Sequence, residues 1–154
     1  MKKTLIAYFT RTGITKKLAE DTAKQTGADL FAIEPVKEYS SSYLICVGQA
    51  KLENLQNARP AIKAKPQNLQ DYDTIVVMFP IWWFTCPNII LTFLEENDLS
   101  GKTVIPVCTY GSSDYSVQQM SQFIDNLLQD CAALGIPTPE EQRINSLLEE
   151  WDKR

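Results

Sequence analysis

Three short apolar runs constrain this chain more than any other feature of it. Residues 4–9 (TLIAYF), 74–79 (TIVVMF) and 103–108 (TVIPVC) are nearly continuous in β-forming side chains. A strand that does not alternate apolar with polar residues has to be covered on both faces, as in a parallel sheet sandwiched between helices. A shorter strand is expected at 30–33, ending before Pro35. Pro106 lies inside the last run and has no N–H, so it must sit where no ladder donor is needed.

The segments between these runs carry helical patterns. Ile14, Leu18 and Thr22 repeat at i,i+4 in a stretch that reaches about Gln25, and Gly27 follows as the helix C′ residue. Further helices are expected over residues 43–57 and over 87–96, where Pro87 suits the first turn. Two more are expected over 117–134 and, after a capping box at Thr138 to Glu141, up to Trp151. Residues 58–73 hold two prolines and little periodicity, and read as a surface connection. Alternation of strands and helices implies an α/β fold with an open parallel sheet and right-handed crossovers. At 154 residues, 44% of them hydrophobic and 22% charged, the chain is expected to form one globular domain, 1–154.

Composition then removes whole classes of chemistry. The chain has no histidine, which excludes Ser-His-Asp and Cys-His nucleophiles and every histidine metal site. Demanding chemistry must therefore come from a bound cofactor. Cys46, Cys86, Cys108 and Cys131 form no CxxC pair and match neither a zinc nor a dithiol motif, and Cys86 and Cys108 read as small buried hydrophobes. A net charge of -4 without a basic tract argues against nucleic-acid binding. No apolar run approaches the roughly 18 residues of a membrane span, and residues 5–9 are too short for a signal peptide, so a cytoplasmic location is expected.

In open α/β sheets ligands bind beyond the carboxyl ends of the strands, where strand order reverses. This rule singles out residues 10–15, 80–86 and 109–115. The first, TRTGIT, opens a helix with hydroxyls and exposed backbone N–H groups, a setting suited to a phosphate monoester. The alternative is that Thr12 is an N-cap and Gly13 a turn residue, with no ligand. The six glycines cannot form GxGxxG and no GxxxxGK[ST] occurs, so neither the dinucleotide fingerprint nor the P-loop is present. The second segment follows Phe79 with Pro80-Ile81-Trp82-Trp83-Phe84, which puts four aromatic rings within six positions. They can wall a flat conjugated ring or simply pack. The third, Thr109-Tyr110-Gly111-Ser112-Ser113-Asp114, offers hydroxyls and backbone donors for a polar edge.

On these residues the chain resembles the flavodoxin family, in particular flavodoxin-like proteins whose second flavin loop carries a Pro-Ile-Trp-Trp run. The first loop is similar to the family's [ST]-x-T-G-x-T phosphate loop at Thr10, Thr12, Gly13 and Thr15. Tyr39, Ala58-Arg59-Pro60, Tyr72-Asp73 and residues 80–94 extend the likeness, which covers roughly residues 3–115. The resemblance implies a three-layer α/β/α fold with a parallel sheet of order 2-1-3-4-5, non-covalently bound FMN and electron transfer. It also implies that Thr10, Arg11, Thr12, Gly13, Ile14 and Thr15 hold the FMN phosphate. Pro80, Ile81, Trp82, Trp83 and Phe84 would border the ribityl chain and isoalloxazine, with Thr109, Tyr110 and Gly111 on the ring's polar edge. Which tryptophan stacks stays open.

Three positions depart from that pattern. Phe84 stands where related proteins commonly have Gly, and a bulky residue does not readily adopt φ > 0. Ser112-Ser113-Asp114 replaces a more glycine-rich loop and brings a carboxylate toward the ring. Residues 132–137 form a weak fifth strand, which is therefore short or missing, or completed by a partner chain. The expected function is that of a small FMN-binding electron-transfer protein, monomer or homodimer, that docks a redox partner protein. The alternatives are an FMN-dependent NAD(P)H:quinone or nitro reductase, and a flavodoxin-fold binding module that has lost flavin.

Overall fold

A computed structural model of the chain describes residues 3–83 and 85–109. They form, in order, strand β1 (Thr4–Tyr8), helix α1 (Ile14–Thr26), strand β2 (Asp29–Ala32), helix α2 (Tyr43–Leu55), a single 3₁₀ turn (Leu69–Asp71), strand β3 (Thr74–Pro80), helix α3 (Asn88–Glu96) and strand β4 (Thr103–Thr109). All pairings are parallel and the sheet order is β2-β1-β3-β4. The strand order therefore reverses between β1 and β3. This is the expected flavodoxin-like arrangement up to its fourth strand; the expected fifth strand and the two expected C-terminal helices lie outside the described residues.

Both faces of the sheet are covered, which is why the strands read as continuous apolar runs. Leu5, Ala7 and Phe9 of one face join Ile75, Val77 and Phe79 under α3, with Ile89, Ile90, Phe93 and Leu94 all buried there. The intervening residues Ile6 and Met78 turn the other way, against Ala19 and Leu18 of α1. The period-two alternation of strand side chains thus feeds two cores. Phe79 and Phe93 are among the largest fully buried side chains, each contributing about 1.5–3 kcal/mol from burial. Pro106 lies on β4, opposite Val77, at the outer side of the described sheet.

Gly27 ends α1 in the left-handed region with φ 73, its N–H on the Ala23 carbonyl, as the sequence pattern required. Four features differ from expectation, the first being that α2 stops at Leu55 and not at 57, with Asn57 already at φ 49. β2 begins one residue earlier, because only its second half is even partly buried and the exposed Asp29 disguises its start. Pro87 takes the N-cap position of α3 instead of the first turn. The 58–73 connection contains the 3₁₀ turn, preceded by Asn68 at φ 54, and Ile62 bridges back to Pro35. Asn88, at the start of α3, donates to the Glu53 and Ala58 carbonyls at 3.0 and 2.9 Å, fastening α3 to the end of α2.

Candidate functional site

The ends of β1, β3 and β4 meet at one rim. Phe9 N–H donates to the Met78 carbonyl at 2.9 Å, and Ile81 N–H to the Thr109 carbonyl at 2.9 Å, so the three exit points are hydrogen-bonded side by side. Thr10 follows β1, Ile81 follows β3, and Thr109 closes β4. Three of the loops singled out from the sequence therefore start together at the topological switch point.

The first loop is built by its backbone. Gly13 is the N-cap of α1 with φ 94, and its N–H donates to Thr10 Oγ1 at 3.0 Å. No side chain caps the helix, which corrects the capping alternative for Thr12: the left-handed turn at Gly13 takes that position instead. The Gly13 carbonyl accepts from Lys17 N–H at 3.0 Å, and the N–H groups of Ile14, Thr15 and Lys16 have no partner from a preceding turn of the helix. Thr12 and Ile14 are exposed, Ile14 by 59%. Thr15 points inward instead. It is 2% exposed, and its hydroxyl lies 2.7 Å from that of Thr109, itself 6% exposed, which locks α1 to the end of β4.

Arg11 is engaged elsewhere. Its guanidinium donates to the Ser41 carbonyl at 2.9 Å and leans on that of Ser40 at 3.4 Å, tying the first loop to the segment that leads into α2. Its Nε is buried with no partner among the described residues. The Cys46 thiol is nearby: burial pushes it above its ordinary value, and the Arg11 charge offsets only part of that. The Cys108 thiol, one residue before the rim, is pushed up to about 12 by burial, so it stays protonated at neutral pH. Neither cysteine is poised as a nucleophile, and for Cys108, as for the buried Cys86, this agrees with the small-hydrophobe reading.

The second loop is built by side chains. Trp82 and Thr85 exchange both backbone hydrogen bonds, at 3.0 and 3.1 Å, closing a two-residue turn whose first residue, Trp83, has φ 52. Positive φ at that position is the mark of the hairpin turns that favour Gly or Asn. Trp82 is half-buried in a trio of edge-to-face rings, 5.3 Å from Phe9 and 5.0 Å from Tyr39. The Tyr39 hydroxyl donates to Glu53 Oε2 at 2.7 Å, and burial raises the pKa of both groups. Trp83 is 42% exposed; its indole N–H donates to the Val47 carbonyl at 3.1 Å, and Lys51 Nζ lies 4.8 Å from its ring centre. Of the two tryptophans, Trp83 is the one with an open ring. Pro80 and Ile81 continue β3 into this turn.

The roles of Val47, Lys51 and Glu53 had no signal in the sequence, because α2 reaches the loop only through the fold. Phe84, Tyr110, Gly111 and the Ser112-Ser113-Asp114 segment lie outside the described residues. Among the described residues no cluster of carboxylates and thiols could hold a metal ion, and no helix is long and apolar enough to cross a membrane.

A crystal structure of a candidate flavoprotein from Bacteroides eggerthii is 33% identical, covers 97% of this chain and 97% of its own, and superposes with a TM-score of 0.73. A second, from Bacteroides uniformis, is 31% identical with 99% of each chain covered and a TM-score of 0.75. A flavoprotein from Lactobacillus acidophilus, solved in complex with FMN, shares the fold at 23% identity, with 82% and 89% covered and a TM-score of 0.68. None of the curated proteins matches the chain. The flavodoxin family model matches residues 3–137, and with the strand order and rim loops just described this chain belongs to the flavodoxin family.

Proposed function

We propose that this chain is a small electron-transfer flavoprotein that holds FMN non-covalently at the rim of β1, β3 and β4. The observation that carries the reading is that the glycine-opened N-terminus of α1 and the turn bearing the half-exposed Trp83 leave adjacent, hydrogen-bonded strand ends of one rim. A phosphate dianion suits the first: unpaired N–H groups and the positive end of the helix dipole favour an anion without a lysine. Thr10, Arg11, Thr12, Gly13, Ile14 and Thr15 supply that turn, with Thr12 exposed and Thr15 acting through the buried Thr109 contact. The Arg11 side chain contributes by fixing the turn, since its NH2 group is spent on Ser40 and Ser41.

A flat conjugated ring suits the second loop. Trp83 offers an aromatic face, Ile81 and Trp82 give an apolar floor, and Thr109 marks the polar edge. Phe84, Tyr110 and Gly111 belong to the same proposed set. When bound, FMN supplies electron transfer in one- or two-electron steps. The chain's own residues bind the phosphate, orient the ring and keep water from its inner face. The proposed partner is a redox protein that docks at the open side of the ring.

Titration of the purified protein with FMN, followed by quenching of flavin fluorescence, tests this reading with riboflavin as the control. Tight quenching by FMN and much weaker quenching by riboflavin is expected, with little NAD(P)H oxidation by the loaded protein alone. Equal affinity for riboflavin would overturn the phosphate assignment. Rapid bleaching by NAD(P)H with quinone turnover would make the chain a reductase, and no binding of either flavin would make it a binding module.

A further inference from the structure

Helix α2 reads YLICVGQAKLENL and is apolar on two opposite sides. Cys46 and Ala50 face inward and are buried. On the far side Leu44, Ile45, Leu52 and Leu55 are exposed by 79, 57, 55 and 71%, with Gly48 between them. A helix with a second apolar face opposite its buried one has a second surface to cover. Its two charged residues are already engaged at the edges, Lys51 over the Trp83 ring and Glu53 with Tyr39. The outward stripe therefore carries no charge that would repel a second copy of an acidic chain.

We infer that this face of α2 is the contact between two copies of the chain, packed antiparallel about a two-fold axis near the middle of the helix. The stripe Ile45, Gly48, Leu52, Leu55 has the same three-four-three spacing read from either end. An antiparallel two-fold pairing consequently sets Gly48 of one copy opposite Leu52 of the other, twice, and Ile45 opposite Leu55, twice. A Cβ built on Gly48 meets nothing within 4 Å, so the hole that Leu52 needs is present. With Leu44 at its border, the four exposed side chains Leu44, Ile45, Leu52 and Leu55 offer on the order of 500 Å² per copy, or about 1,000 Å² in total, which is at the lower bound for a specific interface. The dimer is accordingly one of modest, concentration-dependent affinity.

Sedimentation velocity of the full chain with FMN present, from low micromolar to several hundred micromolar protein, tests this. A reversible monomer–dimer equilibrium is expected, with Leu52→Glu abolishing the dimer. Gly48→Gln is expected to act in opposite senses: it fills the hole and weakens dimerisation at least tenfold, while raising the thermal midpoint of the monomer, because a helix gains from replacing Gly in open space. A chain that stays monomeric throughout overturns the inference. So does a dimer indifferent to both substitutions, whose interface lies elsewhere. A monomer in which Leu52→Glu sharply lowers the thermal midpoint overturns it too, since residues 110–154 of the same chain would then cover the stripe.

Discussion

The turn after β1 and the turn after β3 leave the same rim of the sheet, and among the described residues each contains one left-handed residue: Gly13 at φ 94 in the first, Trp83 at φ 52 in the second. For glycine that conformation carries no Cβ penalty, whereas for a residue with a side chain it costs roughly 1–2 kcal/mol. The first turn can therefore hold its shape with backbone and hydroxyl contacts and the Arg11 bonds to Ser40 and Ser41. The second needs the paired hydrogen bonds of Trp82 and Thr85, the Trp83 indole bond to Val47, and Lys51 above the ring. One anion-type turn is set by its own sequence, and one aromatic turn is held in place by α2. The aromatic side of the rim should respond to changes in α2 at Val47 and Lys51, whereas the anion side meets that helix only through the Arg11 side chain.

Mirror-image substitutions would break or sharpen this contrast. Gly13→Val places a β-branched residue at φ 94, where it is a genuine outlier. FMN affinity is expected to fall by about tenfold or more, together with a lower thermal midpoint, in fluorescence titration and calorimetry. An unchanged affinity would mean that the turn is not preorganised by its glycine. Trp83→Gly does the reverse. It relieves strain but loses the indole bond to Val47 and gains flexibility in the unfolded chain, so stability is expected to change by less than about 1 kcal/mol in urea denaturation. Its flavin quenching, on the other hand, is expected to weaken. A large loss of stability with intact quenching would assign Trp83 to packing alone.

The smallest effect concerns pH and confines itself to the second turn. Burial raises the Glu53 carboxyl above its ordinary value, so the folded chain holds that proton more tightly than the unfolded one. The resulting stability is complete below the unfolded pKa and is lost as pH rises through the folded value. Glu53→Gln is expected to flatten the thermal midpoint against pH across the upper carboxylate range. The change should be seen in the environment of Trp82, through Tyr39, and not at Thr15. An identical pH profile in the variant would remove Glu53 from the support of the aromatic turn.

What the sequence revealed follows from where the physics is local. The runs at β1, β3 and β4 were legible because burial on both faces forces continuous apolar residues, and Gly27 was legible because a helix end needs a left-handed residue. β2 was misplaced by one because Asp29 and Leu30 are exposed there, so burial wrote no pattern at its start. Thr12 as a cap was a reasonable local reading, but the helix start is set by Gly13 and Thr10. The bonds from Arg11 to Ser40 and Ser41, and from Trp83 to Val47, span 29, 30 and 36 residues, and no periodicity or motif encodes contacts at that range.

The place of β1 in the sheet also sets an order of events in time. β1 leaves the ribosome before both of its sheet neighbours, and β2 follows within a few dozen residues. Its other neighbour arrives much later: Thr4 aligns with Thr74, 70 positions further along the chain. Until β3 emerges, Leu5, Ile6 and Ala7 keep one edge of backbone unpaired, and the Leu5 and Ala7 side chains lack the β3 and α3 residues that cover them. Pairings of such separation are slow to form and leave unfinished chains open to wrong partners. The interval of synthesis between α1 and β3, and not the finished sheet, is thus when this chain is most exposed to misassociation, and a nascent-chain chaperone would find its target in β1.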